Sequence, residues 1–190
     1  MNRTLVVMLK EPRAGRVKTR LGRDIGAVGA AWWFRHQVRR LLRRIDDPRW
    51  ALVLAVAPDR AGMASRVWPA HLPRMPQGGG DLGKRMERAL RGAPSGPVCV
   101  IGGDIPDITA MRIAEAFAAL GNADAVFGPA LDGGYWLIGL KRSKAIPPNI
   151  FKGVRWSTEF ALLDTEKTLP DHRIAYAETL RDVDTVADLI

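Results

Sequence analysis

The stretch Leu5-Val6-Val7-Met8-Leu9-Lys10-Glu11-Pro12-Arg13-Ala14-Gly15-Arg16-Val17-Lys18-Thr19-Arg20-Leu21 decides how this chain reads. Its first five residues are an unbroken apolar run, the mark of a strand buried on both faces. Pro12 and Gly15 then turn the chain, and Arg13, Arg16, Lys18, Thr19 and Arg20 follow at the strand's carboxyl end. In open α/β sheets, ligands bind outside those carboxyl ends. Four cations and a hydroxyl there suit a di- or triphosphate, because charge-assisted hydrogen bonds are about twice as strong as neutral ones. The plainer reading is a solvated basic loop.

Apolar runs recur along the chain at 4–9, 51–57, 98–102, 124–128 and 135–140, with helical patterns at 27–46, 82–91 and 109–120. Strands alternating with helices predict an α/β fold: a single three-layer α/β/α domain over residues 1–190 with a mostly parallel, Rossmann-like sheet. No repeat, low-complexity tract or linker divides the sequence. The Gly/Pro-rich pieces at 73–83, 92–97 and 145–153 read as loops.

A chain of 190 residues can bury about 70% of its unfolded surface. Its 47% apolar and 26% charged residues are ordinary for a globular protein. No apolar run reaches the ~20 residues of a membrane span, and the amino-terminal run is too short for a signal peptide, so a cytoplasmic location is expected. The one cysteine, Cys99, excludes an intrachain disulfide and a Cys-rich zinc site, and reads as a small core residue. His36, His71 and His172 show no metal-binding spacing. Any metal should therefore be a hard cation held by carboxylates.

The net charge of +9 implies polyanionic company. Much of it lies in residues 35–44. There Phe34, Val38, Leu41 and Ile45 form one helical stripe and Arg35, Arg39 and Arg43 another. A solvated arginine face explains this without a partner; a nucleic-acid or membrane contact is the competing reading.

The run Val98-Cys99-Val100-Ile101-Gly102-Gly103-Asp104-Ile105-Pro106-Asp107 ends a buried strand in two glycines and delivers Asp104 to the same edge as the Lys18 loop. A carboxylate beside phosphate needs a cation between them, so Asp104 reads as a Mg²⁺ or Mn²⁺ ligand. The plainer role, capping the helix near Thr109, suits Asp107 better. Gly78 to Lys84 mimics a P-loop, but Arg85 stands where Ser or Thr is required, and the Lys18-Thr19 pair fails differently, because Val17 occupies the position that must be glycine. A Walker-type NTPase is rejected. The Gly-rich loop after Gln77 can still lie against a base or ribose.

Asp132-Gly133-Gly134-Tyr135-Trp136 is a turn between strands that also offers a carboxylate and an aromatic wall. Trp156-Ser157-Thr158 resembles a helix start capped by Ser157 or Thr158, with Trp156 in the core or at the site. Asp182 and Asp184 share a face if extended and suit a metal; the competing reading is Asp184 as a helix cap.

Taken in order, these segments resemble the nucleotide-diphospho-sugar transferase superfamily, of glycosyltransferase-A fold. More narrowly they resemble a bacterial glycosyltransferase-like group akin to phospholactate and molybdenum-cofactor guanylyltransferases. The resemblance rests on Lys10–Leu21, Gln77–Met86, Gly102–Asp107, Gly128–Tyr135, Trp156–Thr158 and Asp182–Thr185. It implies Lys18, Arg20 and Asp104 as the catalytic residues, with Lys18 and Arg20 on the nucleotide phosphates. Nucleotide binding falls to Lys10, Arg13, Gly15, Lys18, Thr19, Arg20, Gln77 and Gly83. Acceptor binding falls to Asp132, Gly133, Gly134, Tyr135 and Trp156. Asp104 and Asp184 would hold Mg²⁺ or Mn²⁺. Gly103, Ile105 and Val186-Ala187 depart from the group's usual residues and leave acceptor specificity open.

The expected activity is a metal-dependent transfer from a nucleotide-activated donor to a small-molecule acceptor. Nucleotidyl transfer from an NTP, releasing pyrophosphate, is preferred on loop charge. Glycosyl transfer from an NDP-sugar is the alternative, and a basic nucleic-acid-binding protein or a nucleotide-binding relative without turnover are the readings set against both. A homodimer is compatible with the sequence.

Overall fold

A computed structural model describes residues 2–183 and 185–189. In chain order the elements are β1 (Thr4–Lys10), α1 (Leu21–Ile25), α2 (Ala27–Ile45), β2 (Ala51–Ala57), α3 (Asp59–Ala64), β3 (Arg74–Pro76) and α4 (Leu82–Gly92). There follow β4 (Val98–Gly102), α5 (Ala110–Ala119), β5 (Ala125–Pro129), β6 (Tyr135–Leu140), α6 (Ala161–Lys167), β7 (Ile174–Tyr176) and a 3₁₀ turn, Val186–Leu189.

Seven strands form one sheet in the order β3-β2-β1-β4-β6-β5-β7. β1 is an interior strand parallel to β2 and β4, with Val6 opposite both Val53 and Val100. β6 runs antiparallel between β4 and β5, and β7 pairs parallel to β5. The expected mostly parallel sheet is present, and its reversed strand comes from the hairpin after β5.

Alternation along β1 sends Leu5, Val7 and Leu9 into a core shared with Phe34, Val38 and Leu41 of α2 and Ile113 and Phe117 of α5. Val6 faces the opposite core, with Met86 and Leu90 of α4 and Phe127 and Ile138 of the sheet. Both faces are covered, which is why the strands read as continuous apolar runs. Burying each large aliphatic side chain of these layers contributes about 1.5–3 kcal/mol. Cys99 lies fully buried, and burial pushes its thiol well above the ordinary range, so it is inert packing.

Several local expectations are corrected. The piece 73–83 is not all loop, since β3 pairs with β2 through Leu54 and Arg74. Pro76 would be out of place in a central strand, but β3 is an edge strand, where proline costs no ladder bond. Thr109, not Asp107, caps α5, its hydroxyl accepting from Arg112 N at 3.3 Å. Neither Ser157 nor Thr158 is the N-cap of α6; Phe160 holds that position, while Thr158 Oγ1 accepts from Phe160 N just before it.

Candidate functional site

The carboxyl ends of β1 and β4, the start of α4 and the β5–β6 hairpin frame a cleft of about 800 Å³. That volume suits a nucleotide-sized ligand. Lys10 at the end of β1 and Arg16, Lys18, Thr19 and Arg20 in the loop beyond it line the cleft. Val17, 5% exposed, anchors that loop in the core, and Lys18 O accepts from Gly22 N at 2.8 Å to begin α1. Lys18, Thr19 and Arg20 are thus held between a buried anchor and a helix start.

Lys18 itself sits at φ +44°, in the left-handed region. For a non-glycine residue this conformation costs about 1–3 kcal/mol and persists only when the surroundings impose it. Its side chain, 7% exposed, reaches across the sheet edge, and Nζ lies 2.8 Å from Asp104 Oδ2. Asp104 follows β4 through Gly102-Gly103. A Cβ at Gly103 would lie 2.4 Å from Leu9 Cδ2, so glycine is what lets the exit of β4 close against β1. Those two close approaches bring Lys18 and Asp104 together from segments 86 residues apart (104 less 18).

Four described carboxylates line the cleft: Asp81, Asp104, Asp132 and Asp182. Asp81 Oδ1 accepts from Lys84 N and caps α4, and Asp132 Oδ1 accepts from Gly134 N within the hairpin turn. Asp132 therefore shapes its own loop as well as facing the cleft. Asp104 keeps 37% of its side chain exposed, and with Asp182 it offers an all-oxygen donor set. Such a set fits a hard divalent cation completed by phosphate oxygens. Among the described residues no three His, Cys, Asp or Glu side chains cluster as a self-sufficient metal site. Asp184, the other expected ligand, lies outside the described residues.

The remaining expected residues divide. Gln77 lines the cleft but is buried, and its Nε2 donates to Leu9 O at 3.0 Å and Ala55 O at 2.8 Å. That nitrogen ties the ends of β1 and β2 together, leaving only the rest of the amide to face a base. Gly134, Tyr135 and Trp156 line the opposite wall. The rings of Tyr135 and Trp156 are 6.5 Å apart, and Phe151 backs Trp156 at 5.9 Å. Burial pushes the Tyr135 phenol well above its ordinary value, so it stays protonated.

Arg13, Gly15, Gly83 and Gly133 are not among the lining residues. Arg13 pairs with Glu11 at 2.8 Å and points into solvent. Gly83 is a packing glycine: a Cβ would meet Phe151 Cβ at 2.8 Å and Trp156 Cζ2 at 2.9 Å. Gly133 lies against the Glu159 backbone and accepts from Leu162 N at 3.0 Å, docking the hairpin onto α6. Trp136, expected as part of the aromatic wall, also lines the cleft, although it is 2% exposed and its Nε1 donates to Glu178 O at 2.9 Å.

Sequence reasoning gave no site role to Arg85, Ser157 or Thr158, which also line the cleft. The signal for Arg85 was present, since Leu82, Arg85 and Met86 fall at i, i+3 and i+4 on one face of α4. Ser157 carried no such signal. Its φ of +60° places it at the cleft in a conformation its residue type does not announce.

Residues 41–158 match the family described as "Uncharacterized protein conserved in bacteria (DUF2064)". The chain belongs to this family. A protein of Desulfovibrio desulfuricans G20, described as a "putative nucleotide-diphospho-sugar transferase", is 32% identical over all of this DUF2064 chain and 85% of its own, with a TM-score of 0.88. CMP:2-keto-3-deoxy-manno-octonic acid synthetase complexed with CTP shares the fold at 11% identity and a TM-score of 0.61, covering 100% of this chain and 95% of that one. Rv0371c of Mycobacterium tuberculosis H37Rv, in complex with manganese, does so at 16% identity and a TM-score of 0.54, covering 100% and 96%. No curated protein matches the chain.

Proposed function

We propose that this DUF2064 chain is a divalent-metal-dependent transferase that binds a nucleotide-activated donor in the cleft and passes part of it to a small acceptor. The observation that carries the reading is the basic loop after β1 facing Asp104, with Lys18 and Asp104 2.8 Å apart. The Desulfovibrio relative supports the donor class, and the manganese complex of Rv0371c supports the metal.

The preferred reaction is nucleotidyl transfer. An acceptor phosphate or hydroxyl oxygen attacks the α-phosphorus of an NTP in line, the bond to the bridging oxygen breaks, and pyrophosphate leaves. Lys10, Arg16, Lys18 and Arg20 supply more positive charge than a diphosphate needs, which favours a triphosphate. Lys18 and Arg20 hold the charge that develops on the departing pyrophosphate. Tyr135, Trp156 and Gly134 orient the acceptor on the opposite wall. Asp104 would hold the Mg²⁺ or Mn²⁺, with Asp184 as the second ligand. When bound, the cation neutralises phosphate charge and polarises the phosphoryl oxygens.

Glycosyl transfer from an NDP-sugar is the second reading, favoured by the description of the Desulfovibrio relative. A thermal-shift panel of NTPs and NDP-sugars, with and without Mn²⁺ or Mg²⁺, separates the two. A ligand at a hundred times its Kd adds about 2.7 kcal/mol of stability. A metal-dependent shift with one NTP supports nucleotidyl transfer, and a shift confined to NDP-sugars supports glycosyl transfer. No shift with either class removes the proposal.

A further inference from the structure

The outer face of α2 takes no part in the cleft. Its buried side, with Phe34, Val38, Leu41 and Ile45, packs on the sheet. Its outer side presents Val28, Trp32, Arg35, Arg39 and Arg43, at successive spacings of four, three, four and four residues. At 3.6 residues per turn these form one continuous row. Arg40 is exposed beside it, and the His36 ring lies 4.1 Å from the Trp32 ring, tilted by 55°.

Two properties set this face apart. Helix α2 contains no Asp or Glu in 19 residues. Among the described residues, Arg35, Arg39, Arg40 and Arg43 have no ion-pair or side-chain hydrogen-bond partner, although paired arginines are common elsewhere on this surface. The second property is apolar exposure at the amino-terminal end of the row. Val28 is 72% exposed, Trp32 65% and Ile25 38%, and Ile25 lies against the first turn of α2, 3.5 Å from a Cβ built at Gly29.

We propose that this face docks the protein on the surface of an anionic phospholipid bilayer. The unpaired arginines supply the attraction to acidic headgroups, and each basic residue near such a surface adds to it. Trp32, with Val28 and Ile25, enters the interface, where indole rings are favoured because one part is apolar and one polar. Charge complementarity selects this occupant. A second copy docking through the same face would bring arginine rows together, which repel. Single-stranded nucleic acid is held in basic grooves with aromatic platforms, whereas this face is the convex side of one helix whose aliphatic end offers nothing to phosphate. This surface is independent of the donor and acceptor reading.

Co-sedimentation of the full chain with vesicles of phosphatidylcholine, with and without phosphatidylglycerol, tests it. The chain should pellet with the anionic vesicles alone and be released at about 1 M salt, where charge is screened beyond about 3 Å. The variant R35E/R39E/R43E should bind more than about tenfold more weakly. Trp32→Phe should abolish a blue shift of tryptophan emission that the wild type shows on vesicles. Each position is on the surface, so unchanged melting of the variants verifies their fold. Absence of pelleting, equal pelleting with neutral vesicles, or wild-type binding by the charge-reversed variant overturns the proposal. So does binding of an RNA oligonucleotide, or a Trp32-dependent dimer, without any binding of vesicles.

Discussion

Lys18 Nζ and Asp104 Oδ2 lie 2.8 Å apart, a nearly buried ammonium against a carboxylate that is still partly open to the cleft. The pair joins the two strands that carry the candidate site, and Lys18 adopts a left-handed backbone to make it. Lys18→Asn keeps a residue type that tolerates this backbone and removes the charge. Donor binding should weaken, and transfer should fall about tenfold to a hundredfold, the value of one lost charged contact of ~1.5–3 kcal/mol. Asp104→Ala should abolish the metal dependence of nucleotide binding while unfolding stays cooperative. Titration calorimetry of the best donor with and without Mn²⁺ reads both variants; wild-type, metal-dependent binding by Asp104→Ala would sink the metal assignment.

Gly83 governs the far wall by its lack of a side chain. In Gly83→Ala the new methyl would stand 2.8 Å from Phe151 Cβ and 2.9 Å from Trp156 Cζ2. Phe151 is buried core, so Trp156 at the cleft is the ring that can yield. Overpacking of this kind costs about 1–3 kcal/mol. For a chain of this size that is a fall in Tm of roughly 2–12 °C. The KM for acceptor should rise while that for donor changes little. Equal effects on both KM values would deny Trp156 its place on the acceptor side.

The frame of this site was legible in the sequence because both faces of the sheet are buried. Five strands announced themselves as apolar runs, and α2, α4 and α5 as periodic stripes between them. The short elements were not legible. β3 and β7 have three residues each, too few for periodicity, and are fixed by pairing with β2 and β5. Lys18 and Asp104 could be named because glycines and prolines flank them. The packing duties of Gly83 and Gly133 could not, because they depend on Trp156 and the Glu159 backbone, more than twenty residues downstream. The division of Gln77 between sheet and cleft was hidden for the same reason, since its nitrogen serves two carbonyls from other strands.

Asp164 sets an acid-stability signature beside the segment that carries Trp156. Hydrogen bonds from the Arg155 guanidinium, at 2.7 and 2.9 Å, hold its carboxyl well below the usual carboxylate range, with Lys167 adding to the effect. The folded pKa is depressed below the unfolded one. The stabilisation is therefore fully present above the unfolded value of about 3.9 and is lost as pH falls toward the folded one. Asp164→Asn should lower the Tm at neutral pH and flatten its decline below about pH 4. Parallel melting curves for wild type and variant down to low pH would contradict this.

Arg88 holds the Gly-rich loop between β3 and α4, whose Gln77 and Gly80 line the cleft. Its guanidinium donates to Gln77 O and Gly79 O, clasping the loop from the side of α4. Gly78, at φ +72°, leaves room for it; a Cβ there would overlap the guanidinium carbon at 2.4 Å. Arg88 is not among the cleft-lining residues, so it acts by positioning. Arg88→Ala should raise the donor KM and leave kcat nearly unchanged, because a loosened loop weakens ground state and transition state alike. Arg88→Lys should rescue little, since a single ammonium cannot reproduce the planar fork that spans two carbonyls. Gly78→Ala should mimic the loss by pushing the guanidinium aside, in a backbone conformation that alanine disfavours. Loss confined to kcat, with donor KM unchanged in all three variants, would place the function of this loop in the chemical step rather than in donor binding.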